Sequence, residues 1–311
     1  MKRRNFLQNT ALVTGGMLLN QYGLFAGQYD DDAMGGLTIL HTNDVHSRID
    51  PFPMDGGKNQ GMGGVAARAS LIKKIRGEVS NILLLDAGDI FQGTPYFNLY
   101  KGEPEIKAMA AMGYDATTMG NHDFDAGMDN FATQMAKGNF PLIISNYGLT
   151  NTPLENKYVP YKIFTKGKIK VGVLGIGIEM KGLVPDKLFG NTIYLNPIEK
   201  ANETALKLKK EEGCNLIICL SHLGYKYADN KISDLTLAAE TEYIDLIIGG
   251  HTHTFLPKPD VVKNKLGSDV LVNQVGWGGI QLGRLDFEFS KKNGKNFLKS
   301  HSLPIEKKTG E

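Results

Sequence analysis

The sequence predicts an α/β domain built on mixed sheets, and three observations lead there. Short apolar runs alternate with segments whose apolar residues recur at helical spacing. Strand-like runs then follow one another toward the carboxyl end, as in hairpins. Five polar motifs each stand where an apolar run ends: Asp44-Val45-His46, Gly88-Asp89, Gly120-Asn121-His122-Asp123, Ser221-His222 and Gly250-His251-Thr252-His253. Ligand sites in open α/β folds form outside the carboxyl ends of strands, which is where these motifs fall.

In chain order, residues 37–41 form a short apolar strand, and 49–64, rich in Gly and Pro, form a long loop. Val65 to Arg76 has helical spacing with basic residues between its apolar ones. Residues 81–85 read as a buried strand leading into Asp86-Ala87-Gly88-Asp89. A helix over 103–112 stops at Gly113. A strand near 116–119, a helix over 128–137 and a strand over 141–145 follow. Lys166-Gly167 between apolar runs marks a hairpin over 161–174. Residues 197–212 form a long amphipathic helix, 216–220 a strand ending at Ser221-His222, 236–240 a helix and 243–248 a strand. Strands over 270–275 and 281–290 complete the domain.

The chain has 311 residues, ample for burying a core. Its formal charge is +2, but Lys2, Arg3 and Arg4 lie in a leading segment that carries no acid. Beyond residue 27 the balance is 32 basic to 33 acidic residues, so no basic surplus points to nucleic acid. No apolar run reaches bilayer length. The paired arginines before Asn5-Phe6-Leu7 and the modest apolar stretch from Ala11 to Leu19 predict a twin-arginine export signal over 1–27, cleaved after about Ala26. A tail over 28–36 and one domain over 37–311 follow, so the mature chain is expected in the periplasm or another extracytoplasmic space. Cys214 and Cys219 flank one strand, too far apart for a disulfide, and read as buried small apolar residues.

Five of the seven histidines sit in the five motifs, and only His41 and His301 are left over. Residues two apart in an extended segment point the same way, so Asp44 and His46 can grip one ion, as can His251 and His253. Asp89 has two oxygens with which to bridge two ions, and Asn121 offers a carbonyl oxygen. Carboxylate, imidazole and amide together suit Mn²⁺, Zn²⁺, Fe²⁺ or Co²⁺. Each motif is weak alone; the ordered set is specific for a two-metal hydrolase.

On these motifs the chain resembles the calcineurin-like metallophosphoesterases, and within them the metal-binding domain of the bacterial 5′-nucleotidase family. The matching segments are 39–46, 85–94, 120–125, 250–253 and 273–285, and the resemblance runs from about Leu37 to Ser290. It implies a four-layer α/β/β/α sandwich. It also implies a first metal held by Asp44, His46, Asp89 and His253, and a second held by Asp89, Asn121, His222 and His251. His122 would face the phosphate with Asp125 as its dyad partner; the other role open to Asp125 is helix N-cap. The implied reaction is in-line attack on phosphorus by a metal-activated hydroxide, with 5′-nucleotides as the expected substrates.

The family's full-length enzymes carry a second, carboxy-terminal domain that stacks on the nucleobase, and this chain stops at Glu311 before any such domain. A separate partner chain carrying it, or a broader phosphomonoesterase activity, are the two ways to accommodate that. Phe91, Tyr96, Phe97, Phe124 and Trp277 lie near the motifs and read as core or rim packing, with pocket lining as the alternative. Other readings keep the metals and change the role. They are a cyclic-nucleotide phosphodiesterase, a sulfur-ester hydrolase of the same fold, or a non-catalytic metal-binding subunit of a two-chain nucleotidase.

Overall fold

The computed structural model describes residues 32–292 and 294–306. By contacts the chain divides into Met1–Ala33 and Met34–Glu311, and the second unit carries the architecture described below. The export signal expected over 1–27 lies outside the described residues.

Two mixed sheets carry the domain. The first has the order β13-β12-β1-β2-β3, built from β1 (Ala33–Thr42), β2 (Ile82–Asp86), β3 (Ala116–Thr117), β12 (Gln281–Ser290) and β13 (Gly294–Pro304). The second has the order β10-β11-β9-β8-β6-β5, built from β5 (Tyr161–Lys166), β6 (Ile169–Ile176), β8 (Leu216–Ser221), β9 (Leu246–Ile248), β10 (Asp260–Lys263) and β11 (Asp269–Asn273). β4 (Tyr147–Gly148) and β7 (Ile193–Tyr194) make a separate small pair. Strands β1, β2 and β3 run parallel, as do β6, β8, β9 and β11, while β12–β13, β5–β6 and β10–β11 are antiparallel.

Side-chain alternation sets the layers. Leu37, Ile39, Leu83, Leu85, Phe287 and Phe289 of the first sheet share one core with Val171, Val173, Ile218, Leu220, Leu246 and Ile248 of the second. Their neighbours point outward. Leu40, Ile82 and Leu84 meet α1 (Val65–Glu78), α3 (Glu103–Met112) and α4 (Met128–Met135). Leu174, Ile217, Cys219 and Ile247 meet α6 (Pro197–Lys210) and α7 (Asp234–Glu240). Helix, sheet, sheet and helix thus stack as four layers, as the resemblance implied. Central strands buried on both faces explain why 82–85 and 216–220 read as unbroken apolar runs. Cys214 and Cys219 are buried free thiols, as expected.

Local chemistry fixes several boundaries. Asn196 caps α6, accepting from the backbone N–H of Ile198 and Glu199, with Pro197 opening the first turn. α3 ends where Gly113 turns left-handed at φ 70°. Other elements differ from the sequence reading. β1 begins at Ala33, inside the expected tail, with its first residues exposed or half-buried. Residues 141–145 make only the isolated bridges Thr117–Leu142 and Ile143–Val159 rather than a ladder. α2 (Pro95–Tyr100), α5 (Asp186–Phe189), β4, β7, β10 and β13 were not foreseen as elements. They are short, or, like β13, largely exposed and polar at a sheet edge, so apolar periodicity gives little sign of them. Among the described residues no helix is long and apolar enough to cross a membrane.

Ile218 is fully buried between the sheets, whereas the side chain of Leu298 on β13 is half exposed. Ile218→Ala is expected to cost about 2–5 kcal/mol by cavity formation, and Leu298→Ala within about 0.5 kcal/mol. Chemical denaturation of both variants as metal-free protein checks this; equal costs would place Ile218 outside the core.

Candidate metal centre

The five motifs leave the carboxyl ends of β1, β2, β3, β8 and β9 on one edge of the sandwich. The chain turns sharply there. Asp44, His46, Asp89, His251 and His253 all adopt left-handed backbone, with φ between 50° and 74°. For a residue with a β-carbon this costs on the order of 1–3 kcal/mol and persists only where surrounding structure imposes it. Asp and His are among the residues that tolerate it better. Two glycines give the room. A β-carbon on Gly120 would stand 2.1 Å from Asp89 Oδ1, and one on Gly250 would stand 2.8 Å from His222 Nδ1.

Two sets of ligand atoms result. Asp44, His46 and His253 form one; Asp89, His222 and His251 form the other. Within each set the atoms lie within 4.8 Å of one another. Each set draws on loops from both sheets. The sets also touch: Asp89 Oδ2 is 3.9 Å from His46 Nε2 and 3.1 Å from His222 Nε2. The His251 backbone N–H donates to both Asp44 oxygens at 3.0 Å. Asn121 Oδ1 meets His251 Nδ1 at 2.7 Å. All seven residues predicted as ligands therefore converge.

The donor set suits divalent cations. His222 Nδ1 donates to the Ala87 carbonyl at 2.7 Å, and His46 Nδ1 faces the Phe91 carbonyl at 3.3 Å. With those protons placed, the Nε2 of each ring turns inward. His46 Nε2 meets His253 Nε2 at 2.9 Å. The fully buried His222 Nε2 lies 3.1 Å from the Asp89 carboxylate. Ring nitrogens and carboxylate oxygens gathered at one buried point suit a cation. The acid–base balance of the protein groups carries the same demand. Burial pushes Asp44 up to about 8. Burial opposes charge on Asp89 too, but His222 and His46 beside it hold its carboxyl below the usual range. Against the desolvation of its own ring, the Asp89 and Asp44 carboxylates lift His222 to about 10. Burial lowers His251 to about 3 and His253 to about 4, leaving them neutral and able to ligate.

His122 stands apart from both sets. Its backbone N–H donates to Asp89 Oδ1 at 2.8 Å, and its ring Nδ1 meets Asp125 Oδ2 at 2.9 Å. Its ring lies 5.4 Å from that of His46, and its side chain is partly exposed on the open face of the centre. The Asp125 hydrogen bond raises the His122 pKa, outweighing burial, with help from the Asp89 charge. Asp125 is not the N-cap of α4: the residue before α4 is Gly127, and no side chain caps it.

The sequence reading missed the supports beneath these residues. The buried Asp123 carboxylate accepts backbone N–H groups of Asp89, Ile90, Phe91 and Gly120 at 2.8–3.2 Å, clamping two motif loops together. Asn43 donates to Asp44 Oδ2 and to the Gly276 carbonyl, and accepts from the Val275 N–H. Gln274 donates to the Gly250 carbonyl and to Asp234, which also accepts from Ser221 Oγ. The signal was available, since Asp123, Asn43, Ser221 and Gln274 lie inside or beside the motif segments. Of the aromatics, Phe91, Phe97 and Phe124 are core. Tyr96 donates to Asp50. Trp277 stacks on His253, with ring centroids 5.8 Å apart and 15° between planes. The leftover His41 is buried between the sheets against Asn273 Nδ2, and burial lowers it to about 3; His301 is exposed on β13.

Comparison with known proteins agrees with this geometry. The sequence profile of the calcineurin-like phosphoesterases matches residues 37–255. Snake venom 5′-nucleotidase of Gloydius brevicauda is 36% identical over 290 residues, which is 86% of this chain and 47% of that protein. The crystal structure of the 5′-nucleotidase precursor from Thermus thermophilus superposes with a TM-score of 0.78 at 32% identity, covering 87% of this chain and 55% of that one. That of the calcineurin-like phosphoesterase YfkN from Bacillus subtilis gives 0.71 at 30% identity, covering 88% and 91%. The chain spans about half the length of the 5′-nucleotidases it matches. With a fold, a profile and a ligand constellation in agreement, the chain belongs to the calcineurin-like phosphoesterase family.

Proposed function

We propose that the protein is a dinuclear-metal phosphomonoesterase that hydrolyses 5′-nucleotides to nucleoside and phosphate. The observation that carries this reading is the convergence of two three-residue ligand sets around Asp89, with His122 on the open side. The two sets would hold one cation each. Asp89 would serve both, since its Oδ2 lies within 4 Å of a ligand imidazole from either set. Asn121 would complete the second set beside His251. Mn²⁺, Zn²⁺, Fe²⁺ and Co²⁺ all suit these donors. When bound, two divalent cations supply Lewis acidity toward phosphoryl oxygens and lower the pKa of water at the centre.

The chain's own residues do the rest. Asp44 and Asp89 set the negative potential that retains the cations, and the bent backbone at both holds their oxygens in place. Asp125 keeps the Nδ1 proton of His122 and favours its imidazolium. His122 then stabilises charge on the phosphoryl oxygens and gives its Nε2 proton to the departing ester oxygen. Water oxygen bonds to phosphorus as the ester P–O bond breaks; one water proton stays on the phosphate, the other returns through solvent to His122, and alcohol and inorganic phosphate leave. The nucleotide preference rests on the likeness to 5′-nucleotidases. Export through the Arg3-Arg4 segment belongs to the same proposal, as does a partner chain that contributes base recognition.

Residues 28–311 with Mn²⁺ are expected to release phosphate from AMP, and Asp89→Asn to reduce release to background. Two bound ions without turnover on AMP, cyclic nucleotides or sulfur esters would instead identify a binding subunit. His122→Ala should lower kcat by about 10²–10⁴-fold with both ions retained. Because Asp125 raises His122, the imidazolium is lost only as pH rises through that elevated value. Asp125→Asn should therefore move the alkaline limb of the kcat profile to lower pH; an unmoved limb removes Asp125 from the dyad.

A further inference from the structure

Two of the four ligand imidazoles are oriented by a backbone carbonyl at their second nitrogen. His46 Nδ1 faces the Phe91 carbonyl and His222 Nδ1 the Ala87 carbonyl, while His251 Nδ1 meets Asn121 Oδ1 within the ligand cluster itself. Such partners fix the tautomer and tilt of a ligand ring. His253 differs. Among the described residues its only hydrogen-bond contact is through Nε2 to His46, the nitrogen that points into the centre. Its side chain is also more than a third exposed, against none for His222.

A ring takes the place of the missing hydrogen bond. The Trp277 indole lies nearly parallel to the His253 imidazole, 15° between planes and 5.8 Å between centroids. Behind it the Phe52 ring meets the indole edge-on at 5.4 Å, and the Arg48 guanidinium lies 3.9 Å over the Phe52 ring. The indole is itself held in register with the ligands on either side. The Gly278 N–H donates to the Asp44 carbonyl at 2.7 Å, and the Gly276 carbonyl accepts from Asn43 at 2.7 Å. The Gly276 N–H donates to the Thr254 carbonyl at 2.9 Å, next to His253. One short loop therefore ties the exit of β1 to the exit of β9, and Trp277 is its centre.

We propose that Trp277 is the positioning residue for His253, holding by ring stacking a ligand imidazole whose second nitrogen has no hydrogen-bond partner among the described residues. The proposal rests on Asp44, His46 and His253 forming one cation site. It makes that site depend on an indole and leaves the His222 site independent of it. Trp277 is also the only tryptophan in the chain, so its emission reports on this site alone.

The test compares wild type, Trp277→Leu and Trp277→Phe as full chains. Mn²⁺ binding is measured by equilibrium dialysis with elemental analysis, and thermal unfolding by circular dichroism of the metal-free proteins. Trp277→Leu is expected to keep one ion at wild-type affinity and bind the other about 10–100-fold more weakly. Trp277→Phe, which keeps a ring, should recover most of that loss, and the unfolding temperatures should match. Wild-type emission should change as one of the two ions binds and stay level for the other. Equal binding of both ions by Trp277→Leu would overturn the proposal, as would emission unchanged across the whole titration. The emission arm needs no variant and decides the matter even where Trp277→Leu does not fold. A wild-type chain that saturates at fewer than two ions would overturn the two-site reading itself, a result distinct from either.

Discussion

Two carboxylates buried almost touching one set of imidazoles impose the constraint on which this structure turns. Asp44 and Asp89 are essentially withdrawn from water, and each stands within about 4 Å of His46 and His222. Like charges so placed cannot both ionise without a cation between them. The protein alone meets this partly by protons, with Asp44 pushed up and His222 raised. Divalent cations meet it fully. The same burial that makes the site costly without metal makes its ligands neutral and available, as at His251 and His253.

The surrounding architecture holds that arrangement at the expense of local comfort. Left-handed turns at five ligands, and glycines where any side chain would strike Asp89 or His222, are conformations that a free chain would leave. Asp123, Asn43 and Gln274 hold them by accepting or donating hydrogen bonds across loops that are distant in sequence. These buried polar groups are paired with backbone, so burying them is not a loss. The strain sits at the strand ends, and the apolar layers below carry the stability.

Much of this was legible from the residues. Continuous apolar runs over 82–85 and 216–220 announced buried strands, and Pro197 and Gly113 stood at helix limits. The candidate ligand residues were legible as a set because each stands where such a run stops. Asp123 was harder to place: a carboxylate beside a ligand motif looks like a ligand, and only three-dimensional proximity shows it accepting four backbone N–H groups. β13 escaped notice because an exposed edge strand has little apolar alternation to read. The number of layers came from resemblance, since periodicity shows that a strand is covered on both faces but not by which element.

That each ligand set takes residues from both sheets has a mechanical side. Asp44, His46 and Asp89 ride on the first sheet, and His222, His251 and His253 on the second. The cation sites therefore exist only while the two sheets are seated face to face at that edge. Ion binding and sheet docking are then one linked equilibrium, and whatever strengthens either strengthens the other. On the proposed two-cation reading, side chains deep in the seam, such as Val171 or Phe289, would help set how tightly the centre retains its ions. Conversely, bound ions would act as a clasp at the open end of the sandwich, and removing them would loosen the seam from that edge inward.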